Sequence, residues 1–224
     1  MKWQKISNIS KINFGSPLII VYCKCQPEML DWFFSLLNEN DLLYYSKFRN
    51  KTALQCRAVL RMLLSEYFNT LPNKIEILTT SKGKPYIANN PLSFNVSHSD
   101  SAFVIALSRK GRVGVDIEQL SGSEDIETMS DYAFSDFEKE CVFLSGNKEQ
   151  EFTAIWTLKE ALLKALGVGL ITKLNQVNVY EKLKKYKLSQ LTFKCPEGET
   201  GSVVTEQMSL FKTSTVFFNL SFQQ

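Results

Sequence analysis

Apolar positions recur along this chain with two different periods, and the switches between them outline its elements. Residues 18–24 are β-branched and apolar without helical spacing, which predicts a buried strand. Pro27 then opens a helix running to about Leu37, with Met29, Leu30, Phe33, Phe34 and Leu37 along one stripe. A second helix is expected over 52–68, turning Leu60, Leu63, Leu64 and Tyr67 inward and placing Arg57 and Arg61 on one face. Beyond Pro72 the texture shortens to strands over 75–79, 92–96, 103–107 and 113–118, broken at Gly83, Pro85, Asn89-Asn90-Pro91 and Gly111. Ser135-Asp136-Phe137-Glu138 has the form of a capping box and predicts a helix ending near Gly146. The strongest helical pattern covers 151–166, with Gly167 as its C-cap. The tail returns to strands over 176–181, 188–194 and 215–222. This order predicts an α+β protein of two halves, 1–112 and 113–224, meeting near residue 112 without a visible repeat or linker.

Composition narrows the class without choosing a function. The 224 residues are 44% hydrophobic and 22% charged, as in an ordinary globular protein. A net charge of +3 is too small to argue for nucleic acid, although local basic patches can still serve phosphates or an acidic partner. The five cysteines are odd in number and scattered, and Cys23-x-Cys25 with one distant histidine makes a poor zinc site. Structural thiols in a reducing compartment are the expectation. No leading apolar segment suggests a secretory signal, and the apolar run 17–22 is too short to span a bilayer, so a cytoplasmic protein without membrane contact is expected.

Candidate chemistry begins at Val113-Gly114-Val115-Asp116-Ile117-Glu118. In a strand, Asp116 and Glu118 share one face roughly 6.5–7 Å apart, leaving Val113, Val115 and Ile117 for a core. They could converge on one hard cation, with Glu160 from the long helix completing an oxygen-only site of the kind Mg²⁺ prefers. The alternation is equally that of a solvated edge strand. Trp156, Glu160 and Lys164 fall at i, i+4 and i+8, one helical stripe; alone this reads as a surface Glu–Lys pair worth about 0.3–0.5 kcal/mol. Gly83-Lys84-Pro85-Tyr86 alone reads as a turn. Phe94-Asn95-Val96-Ser97-His98-Ser99 ends a predicted strand with the only histidine, which suits either a structural role or an anion pocket with its flanking hydroxyls.

Taken together and in this order, Gly83-Lys84-Pro85-Tyr86, Phe94–Ser99, Val113–Glu118 and Trp156-Thr157-Leu158-Lys159-Glu160-Ala161 with Lys164 resemble the surfactin-type 4′-phosphopantetheinyl transferases over residues 83–169. The resemblance implies a pseudo-dimeric fold of two similar α/β halves, the first binding coenzyme A and the second carrying the metal and the catalytic helix. It implies transfer of 4′-phosphopantetheine from coenzyme A to a serine of an apo acyl or peptidyl carrier protein, with release of adenosine 3′,5′-bisphosphate. By the same resemblance Asp116, Glu118 and Glu160 are Mg²⁺ ligands (Mn²⁺ being an alternative), and Glu160 is also the base. Lys164 contacts the pyrophosphate, Ser97 and His98 contact phosphate, and Gly83, Lys84 and Pro85 surround the adenine and 3′-phosphate. Trp156 is expected to pack. The family's basic segment ahead of the second helix has Lys47, Arg49, Lys51 and Arg57 as candidates here, while Arg61 is expected to support the fold.

Helix 136–144 and its surroundings (Tyr132, Phe134, Phe137) could be docking aromatics or core. The length favours a monomer. The alternative reading is a catalytically silent coenzyme A or nucleotide-binding module, which would need a broken metal or lysine position; all four are intact. Another Mg²⁺-dependent phosphotransferase lacks its phosphate-loop and kinase motifs here.

Overall fold

A computed structural model describes residues 2–48, 50–119, 125–169, 173–206 and 215–222. Its first part runs β1 (Trp3–Ile6), β2 (Leu18–Lys24), α1 (Leu30–Ser35), α2 (Glu39–Phe48), α3 (Lys51–Phe68), β3 (Leu78–Thr79), β4 (Pro85–Tyr86), β5 (Ser93–His98) and β6 (Ala102–Ser108). The second part runs β7 (Val113–Glu118), α4 (Ile126–Ala133), α5 (Asp136–Leu144), α6 (Lys148–Leu166), α7 (Val179–Tyr186), β8 (Ser189–Lys194), β9 (Thr200–Thr205) and β10 (Thr215–Leu220).

The strands form a five-stranded sheet in the order β1-β10-β2-β6-β5, a three-stranded sheet β7-β9-β8, and the small β3–β4 hairpin. β10 enters the first sheet parallel to both β1 and β2, so the end of the chain closes onto its beginning. Because both faces of β2 and β6 are covered, these strands run apolar and buried without alternation up to their last residues, Lys24 and Ser108. One face of the first sheet (Ile19, Val21, Ile105, Leu107) packs on Leu60, Leu63 and Leu64 of α3. The other (Leu18, Ile20, Val104, Ala106) packs on Val113, Val115, Ile117 and Val203 of the second sheet. Leu158, Ala161, Leu162 and Ala165 of α6 then close over Val204 on the outer side. The order of layers is helix, sheet, sheet, helix, and the α+β class holds; β10, from the second part of the chain, completes the first sheet.

Two features fix β7 between its neighbours. Gly114 leaves no room for a side chain, since a Cβ there would lie 2.0 Å from the Ala161 carbonyl oxygen of α6. On the first-sheet side, the buried Asn95 carboxamide of β5 accepts the Val115 N–H at 2.9 Å, standing in for a ladder bond across the junction.

Several expected elements differ. The segment 176–181 was expected as a strand but forms a 3-10 turn followed by α7, whose N-terminus is capped by Asn178 accepting from Tyr180 and Glu181 N–H. Val179 and Leu183, four apart, bury against α6, and that tertiary contact outweighs the short alternating run. Only Leu78–Thr79 of 75–79 is strand, because the Ile75 carbonyl is taken by the Arg61 guanidinium at 2.9 Å rather than by a neighbouring strand. The helix expected from Pro27 to about Leu37 is a 3-10 turn at Pro27–Met29 followed by only six α-helical residues, and of its expected stripe Phe33 is buried while Phe34 is exposed. The capping box is present, with Ser135 N–H donating to Glu138 Oε2 at 2.7 Å. Gly167 caps α6 at φ 67°.

Candidate active site

The outward face of β7 meets one stripe of α6 running the opposite way. Trp156 Nε1 donates to Glu118 Oε1 at 3.4 Å, and Lys164 Nζ donates to Asp116 Oδ1 at 2.6 Å. Glu160 lies between them on the stripe, close enough to Asp116 to feel its charge, and lines a cavity together with Lys164. Ser97, from β5, completes the cluster: its hydroxyl donates to Asp116 Oδ1 at 2.7 Å and accepts from Lys164 Nζ at 3.0 Å. Val113, Val115 and Ile117 point the other way, fully into the core. The strand is therefore a buried one and not a solvated edge.

Charge is concentrated here at low solvent access. Asp116 is 3% exposed, and its Oδ2 is buried with no hydrogen-bond partner. Burial and the Asp116 charge together push the Glu160 carboxyl above the ordinary carboxylate range, with Lys164 opposing. His98, at the end of β5, is exposed at the cavity mouth. Surrounding protein and the Lys164 ammonium hold its imidazole below its usual pKa.

Among the described residues, no three His, Cys, Asp or Glu side chains stand together at metal-ligating spacing. The donor set nevertheless fits a hard divalent cation: all three candidate ligands are carboxylates, and the orphaned, buried Asp116 Oδ2 is an acceptor with nothing to accept from.

Two cavities adjoin the cluster. The larger, about 510 Å³, is lined by Asp41, Tyr44, Arg57, Thr79, His98, Gly83 and Pro85. The smaller, about 290 Å³, is lined by Lys82, Lys84, Asn95, Glu160, Lys164 and Gly169. Gly83, Pro85 and Val96 border both, so the turn is their shared wall. Gly83 sits at φ 85°, a conformation that favours glycine, and Thr80 N–H donates to the Lys84 carbonyl to close the turn.

The sequence-selected basic residues scatter. Arg57 reaches the larger cavity, and its Nε donates to Asp41 Oδ1 at 2.8 Å. Arg61 is buried: it pairs with the other Asp41 oxygen and donates to the Pro72 carbonyl at 2.7 Å, the supporting role expected of it. Lys51 is exposed at the first residue of α3 and lines neither cavity. Lys47 lies on α2 with its side chain outside the described residues, as does the whole of Arg49. Lys84 lines the smaller cavity, but its ammonium is engaged by backbone carbonyls of Val113 at 2.8 Å and Lys164 at 2.6 Å. Burial, with Arg112 nearby, lowers that ammonium to about 8.

Sequence reasoning missed Lys82, which was visible as the first basic residue of Lys82-Gly83-Lys84. It also missed the hydrogen bond from Trp156, which stacks on Phe152 while orienting Glu118. Of the aromatics near α5, Phe134 is core, tilted against Phe152, whereas Tyr132 and Phe137 are exposed.

A two-half α+β chain with a carboxylate–ammonium cluster walled by two cavities defines a recognisable class of fold. Residues 112–198 match the model of the 4′-phosphopantetheinyl transferase superfamily, and residues 26–110 match that of the 4′-phosphopantetheinyl transferase N-terminal region. The two matches cover more than three quarters of the chain, which belongs to the 4′-phosphopantetheinyl transferase superfamily. It is 33% identical over 129 residues to the 4′-phosphopantetheinyl transferase HetI of Nostoc sp., a match covering 55% of this chain and 54% of that protein. It is 34% identical over 134 residues to the L-aminoadipate-semialdehyde dehydrogenase-phosphopantetheinyl transferase of Pongo abelii, covering 54% and 43%. Against the 4′-phosphopantetheinyl transferase AcpT of Salmonella typhimurium it is 35% identical over 111 residues, covering 48% and 56%. The chain thus spans about half the length of the curated relatives it matches. No helix among the described residues is long and apolar enough to cross a membrane.

Proposed function

We propose that this protein is a surfactin-type enzyme that transfers 4′-phosphopantetheine from coenzyme A to a serine hydroxyl of an apo acyl or peptidyl carrier protein, releasing adenosine 3′,5′-bisphosphate. The observation that carries this reading is Asp116: buried, with one oxygen shared by Ser97 and Lys164 and the other without a partner, beside a cavity that also holds Glu160. Relatives named for this transfer support it.

Asp116, Glu118 and Glu160 would hold Mg²⁺ (or Mn²⁺), which when bound supplies charge neutralisation at the pyrophosphate. The chain's own residues do the rest. In-line transfer at phosphorus needs positioning and electrostatics rather than a covalent enzyme intermediate. The serine oxygen forms its bond to phosphorus as the pyrophosphate bridging bond breaks, and the bridging oxygen leaves with the adenosine bisphosphate. Lys164 offsets the charge that accumulates on the departing phosphate. Glu160 takes the serine proton as the incoming oxygen bonds to phosphorus. His98 and Arg57 face the larger cavity and receive the 3′-phosphate end, with the Gly83 and Pro85 backbone as its wall. In this reading residues 1–112 bind coenzyme A, 113–224 carry the metal and the catalytic helix, and one chain suffices. Exposed Tyr132 and Phe137 offer the carrier an apolar contact.

The deciding experiment incubates the protein with coenzyme A, Mg²⁺ and a panel of apo carriers, and follows the carrier mass. A phosphopantetheine increment supports the proposal. Coenzyme A binding without modification of any carrier would instead favour a silent binding module.

A further inference from the structure

The structure assigns Lys84 the part of a positioning residue, an internal tether between the Gly83–Pro85 turn, the end of α6 and the start of β7, rather than a contact to ligand. This deepens the transferase reading and rests on it. The ammonium donates to Val113 O at 2.8 Å, to Lys164 O at 2.6 Å and to Ala165 O at 3.5 Å. Its three protons therefore have protein acceptors already. Two of these carbonyls belong to the last turn of α6, where backbone acceptors lack helical partners and a cation is favoured. Gly167 N–H shares the Lys164 carbonyl at 3.3 Å but leaves the others to Lys84.

The placement matters because Lys164 is gripped at both ends. Its side chain is held by Asp116 and Ser97, and its backbone carbonyl by Lys84. Val113 lies three residues before Asp116 on β7. One ammonium thereby fixes the helix that presents Glu160 and Lys164 against the strand that presents Asp116 and Glu118. It also ties both to the turn dividing the two cavities, with its side chain directed away from the larger one, which it does not line. Breaking the tether misplaces reacting groups without removing any of them.

The test is Lys84→Met, which keeps the stem and loses the donors, with Lys84→Arg as the conservative variant. Both are assayed well below their melting temperatures with coenzyme A and with dephospho-coenzyme A. For Lys84→Met the expected result is a fall in kcat of roughly tenfold or more, since an ångström of misplacement can cost on the order of a hundredfold. The two substrates should change in KM by the same factor, and Lys84→Arg should recover part of kcat. A loss confined to coenzyme A, leaving dephospho-coenzyme A untouched, would make Lys84 a 3′-phosphate contact and overturn the assignment. So would an unchanged kcat. If Lys84→Met does not fold, the same comparison is read on Lys84→Arg. If the wild-type chain modifies no carrier, the transferase reading fails by itself. Titration of the two nucleotides against Lys84→Met then decides: equal weakening supports the tether and selective weakening overturns it.

Discussion

Lys164 and Asp116 meet at 2.6 Å across the junction of α6 and β7, and each is the other's nearest counter-charge in a setting where Asp116 is almost wholly buried. Neither can be removed quietly. Asp116→Ala deletes the carboxylate with the orphaned oxygen and strands the ammonium, so carrier modification should vanish while the circular dichroism spectrum stays that of a folded protein. Full activity in a folded Asp116→Ala protein would remove the carboxylate from the mechanism.

Lys164→Met is the complementary change. It leaves Asp116 buried beside only a serine hydroxyl and removes the charge that would face the departing phosphate. Turnover should fall by about tenfold or more, the order seen for a lost electrostatic contact at a developing charge. Single-turnover kinetics with saturating coenzyme A check this, because they separate chemistry from binding.

Lys159 sits one residue before Glu160 yet faces the opposite way, into the protein. Its ammonium is 1% exposed; it pairs with Glu138 at 2.6 Å and also donates to the carbonyls of Ala133 and Leu174. Glu138 in turn accepts N–H bonds from Ser135 and Val179, so one pair gathers α4, α5, α6 and α7. Glu138→Ala leaves a buried ammonium without its counter-ion, and breaking such a pair costs about 3–5 kcal/mol. Urea denaturation should show that loss in the midpoint. A midpoint close to wild type would mean that the pair contributes little.

These cases show what could be read from residues alone. The alternation at 113–118 settled which side chains of β7 face inward, because a period of two leaves only two choices once one face is apolar. Ser135 and Glu138 were legible as a cap, but the burial of Glu138 against Lys159 was not, since that pairing spans 21 residues. Asn178 was equally visible, yet the alternating run beside it suggested a strand until Val179 and Leu183 were seen to pack on α6. Arg57 and Arg61 were correctly placed on one face of α3, but nothing local announces that Asp41 lies opposite both. Lys84 marks the sharpest limit: a motif specifies which residue stands in a turn, not which carbonyls its side chain will find.

Gly114 invites a stability test of the same kind. A methyl group there would sit 2.0 Å from the Ala161 carbonyl oxygen and 2.3 Å from the Ala165 nitrogen, both backbone atoms that cannot rotate away. Gly114→Ala must force β7 and α6 apart, and overpacking of this severity costs about 1–3 kcal/mol or more. The melting temperature should drop by several degrees, with activity falling further because the displaced elements carry the site. An unshifted melting temperature would mean that α6 moves freely on the sheet.

His98 offers a readout independent of turnover. Its pKa is lowered from 6.5 by partial desolvation against the surrounding protein and by the Lys164 ammonium, so the imidazole is mostly neutral in the free protein at pH 7. A phosphate brought against it adds negative charge and favours the imidazolium, raising its pKa toward or past neutrality. Coenzyme A binding should therefore be accompanied by proton uptake near pH 7, and affinity should rise as pH falls from 8 toward 6.5. Dephospho-coenzyme A should show little uptake, and His98→Ala should abolish the difference between the two. Calorimetry in buffers of differing ionisation enthalpy measures the protons directly. Equal uptake with both nucleotides would place His98 away from the 3′-phosphate.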